Sequence, residues 1–368
     1  MTQPRILALA MLICAALGNA SVRAEPYMAI HTGTKCMACH VNLTGGGMRT
    51  PFGNIFGQTA LPARIVQLDP GSPSDKLWDG KLNKYFGLGG NLRTGYYSTQ
   101  TPNQSDQSAF RSDEALVYLE AQLLPNRLTL YVDEQVGPGT ALNREAFALL
   151  WLANQTAYLK VGRMFLPYGW RLEDDSAFIR SVTGINYNTP DNGMELGLEH
   201  GPWTVNLAIT NGTAGGPETN KGKQLSFLSS FVQPSWRIGA SANFNDGDKQ
   251  GDRTMGNVFL GLKTGIIGWL FEADYLKDET VPFGRKKTIG LVEANAWLAK
   301  GHILKLTGER LDPDRDVDQD EQTRASLVWE YFPFQFSQVR TGLRKYSGIP
   351  QNDTQNRKEA FVQLHVFF

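Results

Sequence analysis

The chain has 368 residues, with 36 Lys and Arg side chains against 36 Asp and Glu, so its formal net charge is zero. This balance gives no argument for nucleic-acid binding, which a basic patch would supply. The 38 Gly, 19 Phe, 12 Tyr and 8 Trp, with a mean hydropathy of −0.30, favour a β-barrel that encloses a lumen over a soluble α/β enzyme.

Residues 1–24 have the pattern of a signal peptide. Arg5 precedes an apolar run over residues 6–17 that is too short to cross a bilayer, and small residues before Glu25 offer a cleavage site. We therefore expect an exported protein, and removal of the signal peptide also removes Cys14.

The next feature along the chain is Cys36-Met37-Ala38-Cys39-His40, which has the C-x-x-C-H spacing of c-type haem attachment. In that role Cys36 and Cys39 form thioethers to the haem vinyl groups, and His40 is the proximal ligand of the iron. The alternatives are a disulfide, half of a zinc site or a chance occurrence, and no second cysteine pair in the sequence completes a zinc site. The motif therefore predicts one covalent haem c.

Residues 25–80 are predicted to form a small segment similar to a monohaem cytochrome c. A segment of this length buries too little surface to fold without further support. A covalent haem supplies an apolar body against which Phe52, Ile55, Phe56 and Leu61 can pack. We expect the rest of the segment to plug or cap the lumen of the barrel that follows.

The second axial ligand of the iron is not decided by spacing. The candidates are Met48, His31 and His365, with Met28 as a further one. Met48 follows a glycine-rich loop that can fold over the ring, whereas His31 precedes the motif and needs a turn at Gly33. His365 lies in the barrel, where its alternation points inward. A methionine ligand would raise the reduction potential relative to two histidines.

Residues 81–368 are predicted to form an outer-membrane β-barrel, so the fold class of the chain is all-β. Alternation of apolar and polar residues recurs in sixteen segments of this region. In the last segment Val362 and Leu364 share one face, and Gln363 and His365 share the other. Tight and long connections alternate, which is typical of antiparallel outer-membrane barrels with short periplasmic turns.

The connection over residues 165–191 differs from the others because it is too long for a simple loop. In a sixteen-stranded pore we expect such a segment to fold inward as a constriction. The stretch around its start, Val161-Gly162-Arg163-Met164-Phe165-Leu166-Pro167-Tyr168-Gly169, resembles the segment that precedes the constriction in the phosphate-selective porin family.

An exported C-x-x-C-H motif followed directly by a barrel resembles the fused monohaem cytochrome–porin proteins of iron-oxidising bacteria, and residues 29–35 resemble their pre-haem segment. The resemblance implies outer-membrane electron transfer through a single haem, from an extracellular reductant such as Fe(II) to a periplasmic c-type cytochrome. It also implies the activity of an Fe(II):cytochrome c oxidoreductase, with outer-membrane lipid around the barrel.

A function of another class fits the same pattern, namely a passive porin or channel whose haem-bearing segment is a plug or redox gate. The alternating aspartates of Asp312–Glu321 are hard oxygen ligands suited to Ca²⁺, Mg²⁺ or Fe²⁺, although a solvated loop is the more usual role of such a charge run. No Ser/His/Asp set or phosphate-binding loop in the sequence indicates a hydrolase or a transferase.

Overall fold

The structure, a computed structural model, describes residues 25–67, 77–281 and 283–368, and the signal peptide predicted for residues 1–24 lies outside this range. Within the described residues sixteen strands pair antiparallel with their neighbours along the chain, and β1 pairs with β16, so the sheet closes into a barrel. This confirms the predicted fold class and strand number. The strands are β1 (Phe86–Gln100), β2 (Gln107–Leu124), β3 (Leu128–Gly137), β4 (Leu142–Leu152), β5 (Ala157–Met164), β6 (Asp191–His200), β7 (Trp203–Thr210), β8 (Gln224–Val232), β9 (Trp236–Asn245), β10 (Arg253–Thr264), β11 (Ile267–Asp278), β12 (Arg285–Ala299), β13 (His302–Asp312), β14 (Gln322–Tyr331), β15 (Ser337–Ser347) and β16 (Lys358–Phe367).

Alternation along each strand separates two surfaces of the barrel wall. On β14, Arg324, Ser326 and Glu330 are buried in the interior, whereas Leu327 and Trp329 are exposed on the outer surface. Successive residues of a strand point to opposite faces, so this sequence pattern produces a polar inner wall and an apolar outer wall.

The seam that closes the barrel lies between β16 and β1. Leu364 is exposed and His365 is buried, as the alternation predicts. In the register of the sheet, His365 lies opposite Arg93 of β1 on one side and opposite Gln338 of β15 on the other. Closure of the ring therefore places Arg93, from a distant part of the sequence, beside His365.

Tight turns and longer connections alternate around the barrel, as predicted. The connection between β3 and β4, residues 138–141, is an exception because it is as short as the tight turns. Gly201 and Gly265 take φ values of +53° and +59° in two-residue turns. Tight hairpin turns require such positive φ values, which glycine adopts without steric cost. We refer to the two ends of the barrel as the short-turn end and the long-loop end.

The residues before β1 form short helices joined by turns. Helix α1 (Pro26–Thr32) ends at Gly33, and helix α2 (Pro51–Thr59) begins after Thr50, whose Oγ1 accepts a hydrogen bond of 3.2 Å from Gly53 N. Proline at the first position and threonine as the N-cap are favourable at helix starts.

The long connection between β5 and β6 folds inward, as predicted, and includes helix α3 (Phe178–Ser181). Its backbone N–H groups have no strand to pair with, and inward-facing side chains of the wall accept several of them. Trp170 N donates to Glu272 Oε2 at 2.6 Å, and Phe178 N donates to Glu309 Oε1 at 3.0 Å. We call residues 165–190 the inward loop.

Apolar side chains from helix α1, the inward loop and the wall pack together in the barrel interior. Tyr27, Ile30, Trp170, Phe259 and Leu270 belong to one such cluster of buried side chains. None of the helices found in residues 25–67, 77–281 and 283–368 combines the length and the hydropathy that a transmembrane helix needs.

Candidate cofactor site

The C-x-x-C-H motif folds into a single tight turn. Residues Cys36–Ala38 form a 3₁₀ helix, and the N–H groups of Cys39 and His40 both donate to Cys36 O, at 3.1 and 3.0 Å. Thr50 holds the turn from the other side, because its Oγ1 donates to Ala38 O at 2.7 Å. Local hydrogen bonding therefore holds the residues that carry the two thiols and the imidazole in a single turn. Both cysteines are free.

A glycine-rich hairpin follows the motif. Val41 N donates to Met48 O at 3.0 Å, and Gly45, Gly46 and Gly47 between them have φ values of +94°, +85° and +67°. Residues other than glycine rarely adopt such φ values, and a run of three is rarer still. A Cβ atom on Gly47 would also collide with Tyr131 Oη, so the hairpin packs closely against the wall.

Polar contacts attach this N-terminal region to separate strands of the barrel. Tyr27 Oη donates to Glu330 Oε2 at 2.6 Å, Lys35 Nζ pairs with Glu199 Oε2 at 2.8 Å, and Asn42 Nδ2 donates to both carboxylate oxygens of Glu145. Met48 N donates to the Tyr131 hydroxyl at 2.8 Å. The wall residues belong to β14, β6, β4 and β3, so the region is held from several sides.

The inward loop is attached to the same hairpin. Arg171 Nη1 donates to Thr44 Oγ1 at 2.9 Å and to Gly45 O at 2.7 Å, while Nη2 donates to Leu166 O at 2.8 Å. One guanidinium therefore links the loop and the hairpin, which a rigid fork of donors does better than an ammonium group.

A cavity with about 860 Å³ of atom-free space lies beside the motif. The apolar part of its lining comes from both the N-terminal region and the wall, and the charged part includes several arginines. The lining includes Met28, His40, Arg49, Phe56, Leu61, Arg93, Arg171, Phe332, Gln338, His365 and Phe367.

A second cavity, with about 680 Å³ of atom-free space, also borders the motif. Cys36 and Trp170 line it, and His40 borders both cavities. Cys39 is only 1% exposed. Burial, with a further contribution from Cys36, raises the pKa of the Cys39 thiol to about 12 although Arg49 opposes the shift, so the thiol is protonated at neutral pH.

His365 lies deep in the first cavity. Its Nδ1 is 2.8 Å from Gln338 Oε1, and its buried Nε2 has no hydrogen-bond partner in the part of the chain that the structure describes. The ring centroid lies 5.0 Å from that of Phe367. The sequence predicts the inward orientation, but it gives no sign of the partner Gln338, which belongs to another strand.

The other two predicted distal ligands lie elsewhere. Met48 is fully buried, and its Cε atom fills the space beside Gly87 on β1. The His31 ring stacks on Trp297, with ring centroids 4.5 Å apart. Met48 and His31 are not among the residues that line the first cavity, whereas Met28 is. The expectation that the glycine-rich loop folds Met48 over a ring therefore differs from the observed hairpin.

The residues present fit a c-type haem. Both thiols are free, His40 lines both cavities and Cys36 lines the second one. Phe56 and Leu61 are part of the apolar lining of the first cavity. Phe52 and Ile55, in contrast, are exposed and do not line the cavity. Arg49 adds a cationic group of the kind that pairs with carboxylates such as the haem propionates, whereas Arg93 already pairs with Glu114 and Glu173.

The acidic loop between β13 and β14 is partly neutralised by basic residues. Asp316 Oδ2 lies 3.2 Å from Lys286 Nζ, and Glu321 Oε1 lies 2.8 Å from Arg310 Nη2. No cluster of three or more His, Cys, Asp or Glu side chains suited to a metal ion occurs among the residues that the structure describes.

Comparisons with known proteins identify the fold. No protein-family model matches the chain, and no curated protein matches it. The structure is similar to an anion-selective porin from Comamonas acidovorans, with 10% sequence identity and a TM-score of 0.60 over 77% of this chain and 99% of that one. OmpT of Vibrio cholerae shares 13% identity, with a TM-score of 0.58 over 78% of this chain and 99% of its own.

OprB of Pseudomonas putida is a further example, with 10% identity and a TM-score of 0.57 over 78% of this chain and 95% of that one. At such low identities the likeness shows the fold and no activity. The closed antiparallel barrel and these neighbours define an outer-membrane β-barrel protein with the porin fold. The protein is therefore placed in the outer membrane.

Proposed function

We propose that this protein transfers electrons in the outer membrane through a single haem, attached at Cys36 and Cys39 and ligated by His40 inside its porin-fold barrel. The observation that supports the proposal most is the cavity beside the motif, which His40 borders and which the barrel wall and the N-terminal region line together. In this proposal residues 25–80 are a monohaem cytochrome-like plug for the lumen.

When bound, the haem would supply reversible one-electron exchange at its iron. The surrounding side chains have separate tasks. His40 would ligate the iron, Phe56 and Leu61 would keep water away from the group, and the Arg49 guanidinium would balance the charge of a propionate. Burial and polarity of these groups then tune the reduction potential.

Electron flow needs partners on both sides, because the apolar band of an outer membrane is about 25 Å tall and one haem does not cover it. An extracellular donor such as Fe(II) loses one electron and leaves as Fe(III). A periplasmic c-type cytochrome gains that electron, so one donor is oxidised for each cytochrome reduced. This proposal makes the protein an Fe(II):cytochrome c oxidoreductase.

The first experiment tests haem attachment. The protein, produced together with a cytochrome c maturation system, should give a haem-stained band in a denaturing gel and a c-type absorption spectrum. The Cys36→Ala, Cys39→Ala double variant should lose both signals, because the thioether bonds cannot form. The matched variant Cys14→Ala, in the signal peptide, should keep them. Unstained wild-type protein, or stain that persists in the double variant, would refute the proposal.

The second experiment tests electron transfer. Liposomes that carry the protein and enclose a soluble c-type cytochrome receive external Fe(II), and reduction of the enclosed cytochrome is followed by absorption. Wild-type protein should transfer electrons, whereas His40→Ala should not, although the barrel still resists denaturation in unheated gel samples. Equal transfer by both proteins would contradict a role for the haem.

A second candidate function is a passive channel with a haem-bearing plug or redox gate. The porin fold itself favours this candidate, since one structural neighbour is an anion-selective porin. The two functions differ in ion conductance, which should be large in a channel. It should be independent of haem reduction for a passive plug and should change with haem reduction for a redox gate.

A further inference from the structure

The side chain of His365 has the surroundings of a metal ligand. It lines the same cavity as His40, and its Nε2 is buried without a hydrogen-bond partner among the described residues. A buried polar atom without a partner is unfavourable unless another group satisfies it. A metal ion in the cavity would satisfy this nitrogen.

The other ring nitrogen, Nδ1, makes the hydrogen bond that is usual for the second nitrogen of a metal-binding histidine. Gln338 Oε1 lies 2.8 Å from Nδ1 and, because it can only accept, the hydrogen bond requires the ring proton to be on Nδ1. The lone pair is then on Nε2. Histidines that bind metals nearly always donate their second N–H to such an acceptor, which fixes the orientation of the ring.

The sheet fixes the backbone at this position. His365 is paired with Arg93 on β1 and with Gln338 on β15, so its strand has neighbours on both sides. The Phe367 ring lies beside the imidazole, and Arg49 lies over the Phe367 ring at 4.5 Å. The imidazole therefore contacts side chains of β15 and β16, and Arg49 of the N-terminal region packs on the Phe367 ring beside it.

The alternative ligands have other partners. Met48 packs into the wall beside Gly87, and His31 stacks on Trp297. Met28 does line the cavity, but it belongs to the apolar cluster of the barrel interior.

We propose that His365 Nε2 is the second axial ligand of the haem iron, an inference that rests on the proposed function. The N-terminal region then supplies one axial ligand and the last strand of the barrel supplies the other. Two imidazoles give a low-spin iron with a lower potential than a histidine–methionine pair.

The test compares absorption and electron paramagnetic resonance spectra of the full-length ferric protein in detergent. Wild-type protein should be low-spin, and His365→Ala should lose the low-spin signals and become high-spin with its covalent haem retained. Added imidazole should restore the low-spin spectrum of this variant. The control variants Met48→Leu, His31→Phe and Met28→Leu should keep the wild-type spectrum.

Two further results separate the inference from the proposed function. Wild-type protein without covalent haem would refute the proposed function, whereas haem-bearing protein whose low-spin spectrum survives His365→Ala would refute the histidine ligand alone. If His365→Ala does not fold, His365→Met tests the same point at similar volume, because a new sulfur-to-iron charge-transfer band should appear. Its absence, with an unchanged low-spin spectrum, would overturn the inference.

Discussion

Neighbouring side chains on one strand of this barrel meet very different surroundings. On β13, Leu306 is 58% exposed on the outer surface. Lys305, one residue earlier, is buried with its Nζ 3.8 Å from Glu25 and Glu293 and 3.5 Å from Glu330. Because the outer surface contacts lipid, a charge is costly at position 306, whereas Lys305 is tolerated inside the barrel beside its carboxylate partners.

We expect Leu306→Arg to lower the free energy of unfolding by about 2–4 kcal/mol if the position is near the bilayer midplane. Leu306→Ala should cost less, since it removes apolar surface without adding a charge. Urea unfolding in the presence of lipid vesicles measures both values. An equal loss in the two variants would contradict a lipid-facing position for Leu306.

Sequence reasoning reached the orientation of single residues but not their packing. Alternation predicted that His365 points inward, and its side chain is buried in the barrel interior. The role of Cys36 and Cys39 in haem attachment stays a prediction. The sequence did not predict that Met48 fills the space beside Gly87, or that Phe52 is exposed, because tertiary packing has no period in the sequence.

At the scale of secondary-structure elements, the inward loop is the least regular part and is held by charged side chains. Asp174 accepts hydrogen bonds from Arg324 and Arg344, and its Oδ1 accepts from Ser176 Oγ at 2.6 Å. Burial opposes ionisation of Asp174, but these partners outweigh it and hold the pKa of its carboxyl well below the usual range.

This shift predicts a pH dependence with a definite sign. A carboxyl group whose pKa is depressed in the folded state stabilises that state above the unfolded pKa of about 3.9, and the contribution is lost as the pH falls through the folded pKa. Asp174→Asn should therefore be less stable than wild type at pH 7, and the difference should shrink in acid. Urea unfolding at a series of pH values checks this, and a constant difference would argue against the ion pairs.

The contact between the inward loop and the hairpin can be tested separately. Arg171→Lys keeps the charge but loses the fork of donors to Thr44, Gly45 and Leu166, at a cost of about 1.5–3 kcal/mol for a charged hydrogen bond. Amide hydrogen exchange at residues 41–48 should become at least about tenfold faster. Arg111→Lys, on the exposed side of β2, is the control and should leave this exchange unchanged; equal rates in all three proteins would show that the contact is unimportant.

The sequence predicts the inward course of this loop but not its contacts with the wall. Its length predicted that residues 165–191 fold inward, and the alternating connections predicted the order of the strands. The partners Glu272 and Glu309 lie more than a hundred residues further along, and only closure of the ring brings them to the loop. Such contacts depend on the whole barrel and have no local signal.

At the scale of the whole molecule, the barrel interior holds both the N-terminal region and the inward loop. Contacts to Glu145 on β4 and Glu330 on β14 hold the N-terminal region at separate parts of the wall. We expect the intact protein to conduct ions poorly in a planar bilayer, because these segments occupy the path.

Loosening the N-terminal region should raise the conductance severalfold. The Tyr27→Ala, Asn42→Ala double variant removes the contacts to Glu330 and Glu145. Gln104→Ala, in an exposed loop, is the control and should behave as wild type. A large, steady conductance of the intact protein would instead favour the passive channel.

Enclosure of Cys39 by the closed barrel has a consequence for biogenesis. A thiol that is 1% exposed is out of reach of a maturation enzyme once β1 has paired with β16. Under the proposed function, haem coupling must therefore precede insertion, while the exported chain is still open. The chain order suits this sequence of events, since the motif precedes every strand and would reach the periplasm first. A haem-loaded N-terminal region would then be a template around which the sheet closes, and chains that fail at coupling would be exposed to periplasmic proteases.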